Sequence, residues 1–129
     1  MVAKDIMTKD VITVSPTITP KNLAKIFIEN QISGAPVADK NGKIVGIVSE
    51  ADLVGKKGKQ VKDIMSKQVI EVDEETSVEE IAALMTTHKV KRLPVIRGKK
   101  LVGIVSRADI VGAIALSKHI ALHTPVYDL

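Results

Sequence analysis

Val45-Gly46-Ile47-Val48-Ser49-Glu50-Ala51-Asp52 and Val102-Gly103-Ile104-Val105-Ser106-Arg107-Ala108-Asp109 are one octapeptide written twice with a single change, 57 residues apart. A repeat of this kind points to a duplicated supersecondary unit, and the match extends outward from it. Lys4-Asp5-Ile6-Met7 returns as Lys62-Asp63-Ile64-Met65, Val11-Ile12 and Val14 as Val69-Ile70 and Val72, and Pro36-Val37 as Pro94-Val95. The offset is 58 residues for Lys4 to Lys62 and 57 for Val45 to Val102, so the second copy is one residue shorter between its middle strands.

Each copy reads as strand, helix, strand, hairpin, strand, helix. Val11 to Val14 is a short β-branched run, and Thr19-Pro20 then supplies an N-cap followed by proline at the first helical position. Leu23, Ile26 and Phe27 fall on one helical face and Lys21, Lys25 and Glu29 on the other. In the second copy Ser77 and Glu80 have capping-box spacing, and Ile81, Leu84 and Met85 form the matching stripe. Lys40-Asn41-Gly42-Lys43 and Arg97-Gly98-Lys99-Lys100 each separate two apolar runs and predict hairpins. A helix joins the first strand to the second, so that pair is expected to be parallel and the hairpin antiparallel. The resulting expectation is a mixed α/β fold of two β-α-β-β-α motifs, residues 1–58 and 59–129, packed sheet to sheet about a pseudo-two-fold axis. Val111 to Leu122 breaks the repeat as an extended helix ended by Thr124-Pro125, with an apolar face suited to a homodimer contact.

Composition narrows the function. A chain of 129 residues with 45% hydrophobic residues has room for one core and no separate catalytic domain. With no cysteine it can build neither a disulfide framework nor a thiolate site, and a reducing cytoplasm is the expected location. No stretch approaches the roughly 18 apolar residues of a membrane span, and the N-terminus lacks a signal pattern. No glycine-rich phosphate loop and no Ser-His-Asp grouping is apparent, so no enzyme activity is expected. His119 and His123 stand at i, i+4, half of a metal site without a third ligand, and no metal is expected. The alternatives to a ligand-binding module are a nucleic-acid-binding protein or a ligand-free structural or protein-interaction module. The net charge of +4 and the run Lys56, Lys57, Lys59, Lys62 favour the nucleic-acid form, although such a run also suits a solvated linker, and only Phe27 and Tyr127 could stack on bases.

Ile32-Ser33-Gly34-Ala35-Pro36-Val37 with Gly46 through Asp52, and Val90-Lys91-Arg92-Leu93-Pro94-Val95 with Gly103 through Asp109, resemble the CBS motif, named for cystathionine beta-synthase. Both copies match in order and spacing and cover nearly the whole chain. The resemblance implies a stand-alone Bateman module, a regulatory sensor that binds AMP, ADP, ATP, S-adenosylmethionine or NAD and acts on an effector protein. It also implies a homodimer. Inosine monophosphate dehydrogenase carries a CBS insert, but its catalytic barrel has no counterpart in this sequence, so its activity is not carried over.

The same resemblance assigns roles. It places adenine against Ile12, Ile32 and Gly34 in the first copy and Ile70, Val90 and Arg92 in the second, and ribose on Asp52 and Asp109. Ser49 and Ser106 open helices where phosphate could sit. One better-equipped site would combine Ile12, Ile32 and Gly34 with Lys91, Arg92, Ser106 and Asp109, since the first copy has Ser33, Gly34 and Glu50 where the second has cations. On the residues alone two readings stay open: Ser-x-x-Asp is also the spacing of a plain helix cap, and the aliphatic positions suit a core.

Overall fold

Asp10–Val69 packs as one unit and Met1–Lys9 with residues 70–116 as another. This computed structural model describes residues 1–116. Along the chain run α1 (Ala3–Ile6), α2 (Pro20–Asn30), β1 (Gly34–Ala38), β2 (Ile44–Ser49), α3 (Glu50–Gly55), a 3-10 turn (Val61–Asp63), β3 (Val72–Asp73), α4 (Val78–His88), β4 (Arg92–Arg97), β5 (Lys100–Ser106) and α5 (Arg107–Leu116). The sequence repeat and the packing units are offset by one segment. The Lys-Asp-Ile-Met head of each copy belongs to the unit that holds the other copy's strands.

In the unit spanning Asp10–Val69, the Thr19 hydroxyl accepts the Asn22 N–H at 3.2 Å and starts α2, as its sequence predicts. Leu23 and Phe27 are buried while Lys21, Lys25 and Glu29 face water. The helix stops at Gln31, whose φ of 54° is left-handed. β1 and β2 pair antiparallel from Gly34 opposite Ser49 to Ala38 opposite Ile44. Their turn places Gly42 at φ 80°, and the Asp39 carboxylate accepts the Asn41 and Lys43 amides at 2.9 and 3.0 Å. The Val11–Val14 run contributes a single parallel bridge, Val14 to Val37, and not a full strand. Pro16 has no N–H to continue that ladder. Its counterpart in the other copy is Glu74, and there β3 forms with Val72 opposite Val95.

The other unit carries the three-stranded sheet β3-β4-β5, parallel then antiparallel as expected, with Gly98 at φ 63° in the shortened turn. Ser77 accepts the Glu80 N–H at 3.1 Å, which is half of the expected capping box; the Glu80 side chain stays exposed. Val78, Ile81 and Met85 of α4 close on Val72, Leu93, Val95, Val105 and Ile110. α5 continues past the position where α3 has stopped. The expected extension to Leu122, the Thr124-Pro125 stop and the His119–His123 pair lie outside the described residues.

The exchanged heads explain the glycine of each Val-Gly-Ile-Val-Ser strand. Thr8 and Ile104 exchange backbone hydrogen bonds of 2.9 and 3.0 Å, which lays Met7 over Gly103. Ser66 and Ile47 do the same at 2.8 and 2.9 Å, which lays Met65 over Gly46. A Cβ on Gly46 would stand 2.5 Å from the Met65 sulfur and 2.9 Å from the Ser66 carbonyl oxygen. Only a residue without a side chain permits this approach.

Candidate functional site

In each unit the residues before the β-strand proline meet the Ser-x-x-Asp turn. Gly34 pairs with Ser49 and Arg92 with Ser106 across the hairpins. The chain just upstream is tied to the helix start: Glu50 N–H donates to the Ser33 carbonyl at 2.9 Å, and Arg107 N–H to that of Lys91 at 2.9 Å. Positions 14 to 17 residues apart in sequence thus form one corner at the end of each hairpin.

Ser-x-x-Asp is built as a capping box in both copies. Asp52 Oδ2 accepts from Ser49 N–H at 2.9 Å and from its hydroxyl at 3.2 Å. Asp109 Oδ2 accepts the equivalent pair from Ser106 at 2.8 and 3.0 Å, and Asp109 N–H is 3.2 Å from the Ser106 oxygen. Asp5 and Asp63 cap their own short turns by the same reach, Oδ2 to the Val2 and Gln60 amides at 2.8 and 2.9 Å. In both Ser-x-x-Asp turns, two donors already fill the lone pairs of Oδ2, so each carboxylate offers a ligand one oxygen and not two.

That remaining oxygen differs between the copies. Lys56 Nζ lies 2.8 Å from Asp52 Oδ1, and also donates to the Ile64 carbonyl at 3.2 Å. The second copy has Ala113 where the first has Lys56, and among the described residues Asp109 Oδ1 has no ion pair. An i, i+4 Asp–Lys pair is readable from sequence, and it was the missed signal that separates the two sites. It also withdraws Lys56 from the basic run that could meet nucleic acid.

The aliphatic positions are half-buried, neither free nor fully sealed. Ile32 packs on the core of its unit, and Ile70 and Val90 on theirs. Ile12 is half-buried just ahead of Val14 and is not among the side chains packed on that core. Lys91 is exposed and Arg92 half-buried. Among the described residues no cluster of three or more His, Asp or Glu could hold a metal, and no helix is long and apolar enough to cross a membrane.

The CBS domain family model matches residues 3–58 and again 61–116. The chain belongs to the CBS domain family. This CBS pair is 38% identical to inosine-5'-monophosphate dehydrogenase of Methanocaldococcus jannaschii over 112 residues, 84% of the chain but 23% of the dehydrogenase. It is 32% identical to the uncharacterized protein YlbB of Bacillus subtilis, covering 83% of the chain and 78% of YlbB. Among solved structures, the CBS domain pair of protein MJ0100 in complex with 5'-methylthioadenosine and S-adenosyl-L-methionine superposes with a TM-score of 0.83 at 31% identity, over 89% of this chain and 96% of that one. CBSX2 in complex with AMP gives 0.78 at 30% identity, over 88% and 96%. CBSX2 is a protein of Arabidopsis thaliana.

Proposed function

We propose that this CBS pair is an adenosyl-ligand sensor of the cytoplasm, without catalytic activity, that takes AMP, ADP or ATP, with S-adenosylmethionine or NAD as further ligands of the same kind. Its occupancy biases an effector protein through different affinity for two conformations. The observation that carries the reading is Asp109: its carboxylate is fixed by Ser106 through one oxygen while the other has no lysine on it. A carboxylate oxygen with two lone pairs suits the vicinal hydroxyls of a ribose. Ser106, Lys91 and Arg92 stand beside it and suit the phosphate side, while Val90 and Ile70, with Ile12, Ile32 and Gly34 in the first copy, suit adenine. The adenosyl ligands in the two CBS-pair structures support the ligand class.

Calorimetric titration with AMP, ATP and S-adenosylmethionine tests this. The expected outcome is one dominant site, weakened by Asp109→Ala or Arg92→Ala and little changed by Asp52→Ala. The opposite ranking, or no heat with any of the three, overturns it.

The chain is further proposed to act as a homodimer. Val111 and Leu116 on α5 are 60% and 88% exposed, an apolar face that water disfavours.

A further inference from the structure

The chain holds three asparagines, Asn22, Asn30 and Asn41, all in the first copy. Asn22 and Asn30 lie in α2. The amide after Asn22 belongs to buried Leu23 and donates to the Thr19 carbonyl at 3.0 Å. The Asn30 carboxamide is itself engaged, donating to the Ile26 carbonyl at 2.8 Å, and Gln31 follows it with a full side chain. Asn41 differs on each point. It stands exposed at the tip of the β1–β2 hairpin, and its carboxamide makes no hydrogen bond among the described residues. Gly42 follows it, and a Cβ there would meet nothing within 4 Å. The counterpart turn, Arg97-Gly98-Lys99-Lys100, has no carboxamide.

We propose that Asn41 is a site of covalent self-modification, an amide-to-acid conversion confined to this turn, and that Asp39 sets its pace. When the Gly42 amide gives up its proton to hydroxide, its nitrogen attacks Cγ of Asn41. A C–N bond forms, the carboxamide nitrogen leaves as ammonia, and a cyclic imide closes. Water then opens the imide and leaves either aspartate or a β-aspartyl linkage at 41. Glycine lacks the side chain that hinders such an attack at Leu23 and Gln31. The turn must open first, because Gly42 N–H donates to the Asp39 carbonyl at 3.0 Å. The Asp39 carboxylate holds it shut as well, accepting the amides of Asn41 and Lys43 at 2.9 and 3.0 Å, and its negative charge opposes loss of the Gly42 proton. The product sets a second carboxylate beside Asp39, and the β-linkage adds a backbone carbon to the hairpin. Ageing of this kind reaches only the unit Asp10–Val69, since the other has no asparagine.

Ageing the full chain in mildly alkaline buffer made with heavy-oxygen water, followed by peptide mapping of all three asparagines, tests it. The expected result is labelled acid at Asn41, as a mixture of aspartyl and β-aspartyl peptides, formed about tenfold or more faster than at Asn22 or Asn30. Equal rates at the three positions, no label at Asn41, or an aspartyl product with no β-aspartyl peptide overturns the site. Asp39→Ala is expected to speed the conversion at Asn41 about fivefold or more, the worth of two side-chain hydrogen bonds, while Asn22 and Asn30 keep their wild-type rates. An unchanged rate at Asn41 overturns the role of Asp39. So does equal acceleration at all three positions, which reports general unfolding and not release of the turn.

Discussion

Lys56 closes on Asp52, Nζ to Oδ1 at 2.8 Å, in the turn whose counterpart leaves Asp109 facing Ala113. The two copies therefore share a capping device and differ in what remains of the carboxylate. Lys56→Ala is expected to expose Asp52 Oδ1 and bring a second, weaker AMP site into calorimetric range. In that background Asp52→Ala should remove the second site, whereas Asp109→Ala should cost the dominant site about 10- to 100-fold, the usual range for hydrogen bonds to a charged group. A Lys56→Ala chain with one unchanged site would contradict this account of the asymmetry.

The glycines under the methionines give a second expectation. Gly46→Ala and Gly103→Ala should each destabilise by about 1–3 kcal/mol, as overpacked sites do, measured by denaturant unfolding. Rescue should differ. At Gly103 the three atoms nearest the added carbon all belong to Met7, with Cγ at 2.8 Å and Cβ at 3.1 Å, so Met7→Ala relieves most of the clash. At Gly46 the Ser66 carbonyl at 2.9 Å belongs to the backbone, so Met65→Ala relieves less. A double-mutant cycle should thus return the larger coupling for Gly103 with Met7.

Helix caps offer a check on the local reading. Thr19→Ala and Ser77→Ala each remove an acceptor for a first-turn amide, at 3.2 and 3.1 Å. Each is expected to lower stability by about 1 kcal/mol, and Thr19→Ser to lower it much less.

Ion pairs around α1 and β4 predict a pH profile. The Arg97 guanidinium, bonded to both oxygens of Glu74 at 2.8 and 2.9 Å, holds that carboxyl below its ordinary value. A carboxylate whose folded pKa is lowered stabilises the fold above its unfolded pKa, and that contribution disappears as pH falls through the folded one. Lys4 is shifted the other way, raised by its hydrogen bond to Glu75 at 2.6 Å, so its contribution is complete below its unfolded pKa and lost as pH rises through the folded one. Arg97→Gln should therefore lower the urea midpoint at neutral pH and converge with wild type in acid. Lys4→Gln should converge in strong alkali. Both differences should shrink with salt, since Lys4, Glu75 and Arg97 are exposed, and less so for Arg97→Gln because Glu74 is only 20% exposed.

Much of this was legible in the residues. Thr19-Pro20, Ser77 and the Leu23–Phe27 stripe state their helices outright, because caps and periodicity are local properties. The hairpins at Asn41-Gly42 and Gly98-Lys99 are local too. The Val11–Val14 run reads as a strand by propensity and yields a single bridge, because Pro16 removes the next donor. Local pattern also gave no hint that Met7 would cover Gly103, a contact 96 residues away in sequence. At the candidate site, Ser-x-x-Asp was readable both as cap and as ligand holder. The capping bonds are present, and what distinguishes Asp109 from Asp52 is the residue four positions further on.

The exchange of heads has a consequence for synthesis. Asp10–Val69 is one continuous stretch, so this unit has all its parts once the ribosome has delivered residue 69. The other unit is discontinuous: Ala3 and Met7 emerge ahead of Asp10–Val69, yet the strand they cover, β5, is among the last described segments to appear. Residues Met1–Lys9 therefore wait without their packing site while a complete unit forms behind them. In that interval Ala3, Ile6 and Met7 are apolar groups without their site, and a nascent neighbour's finished β5 is a competing place for them to dock.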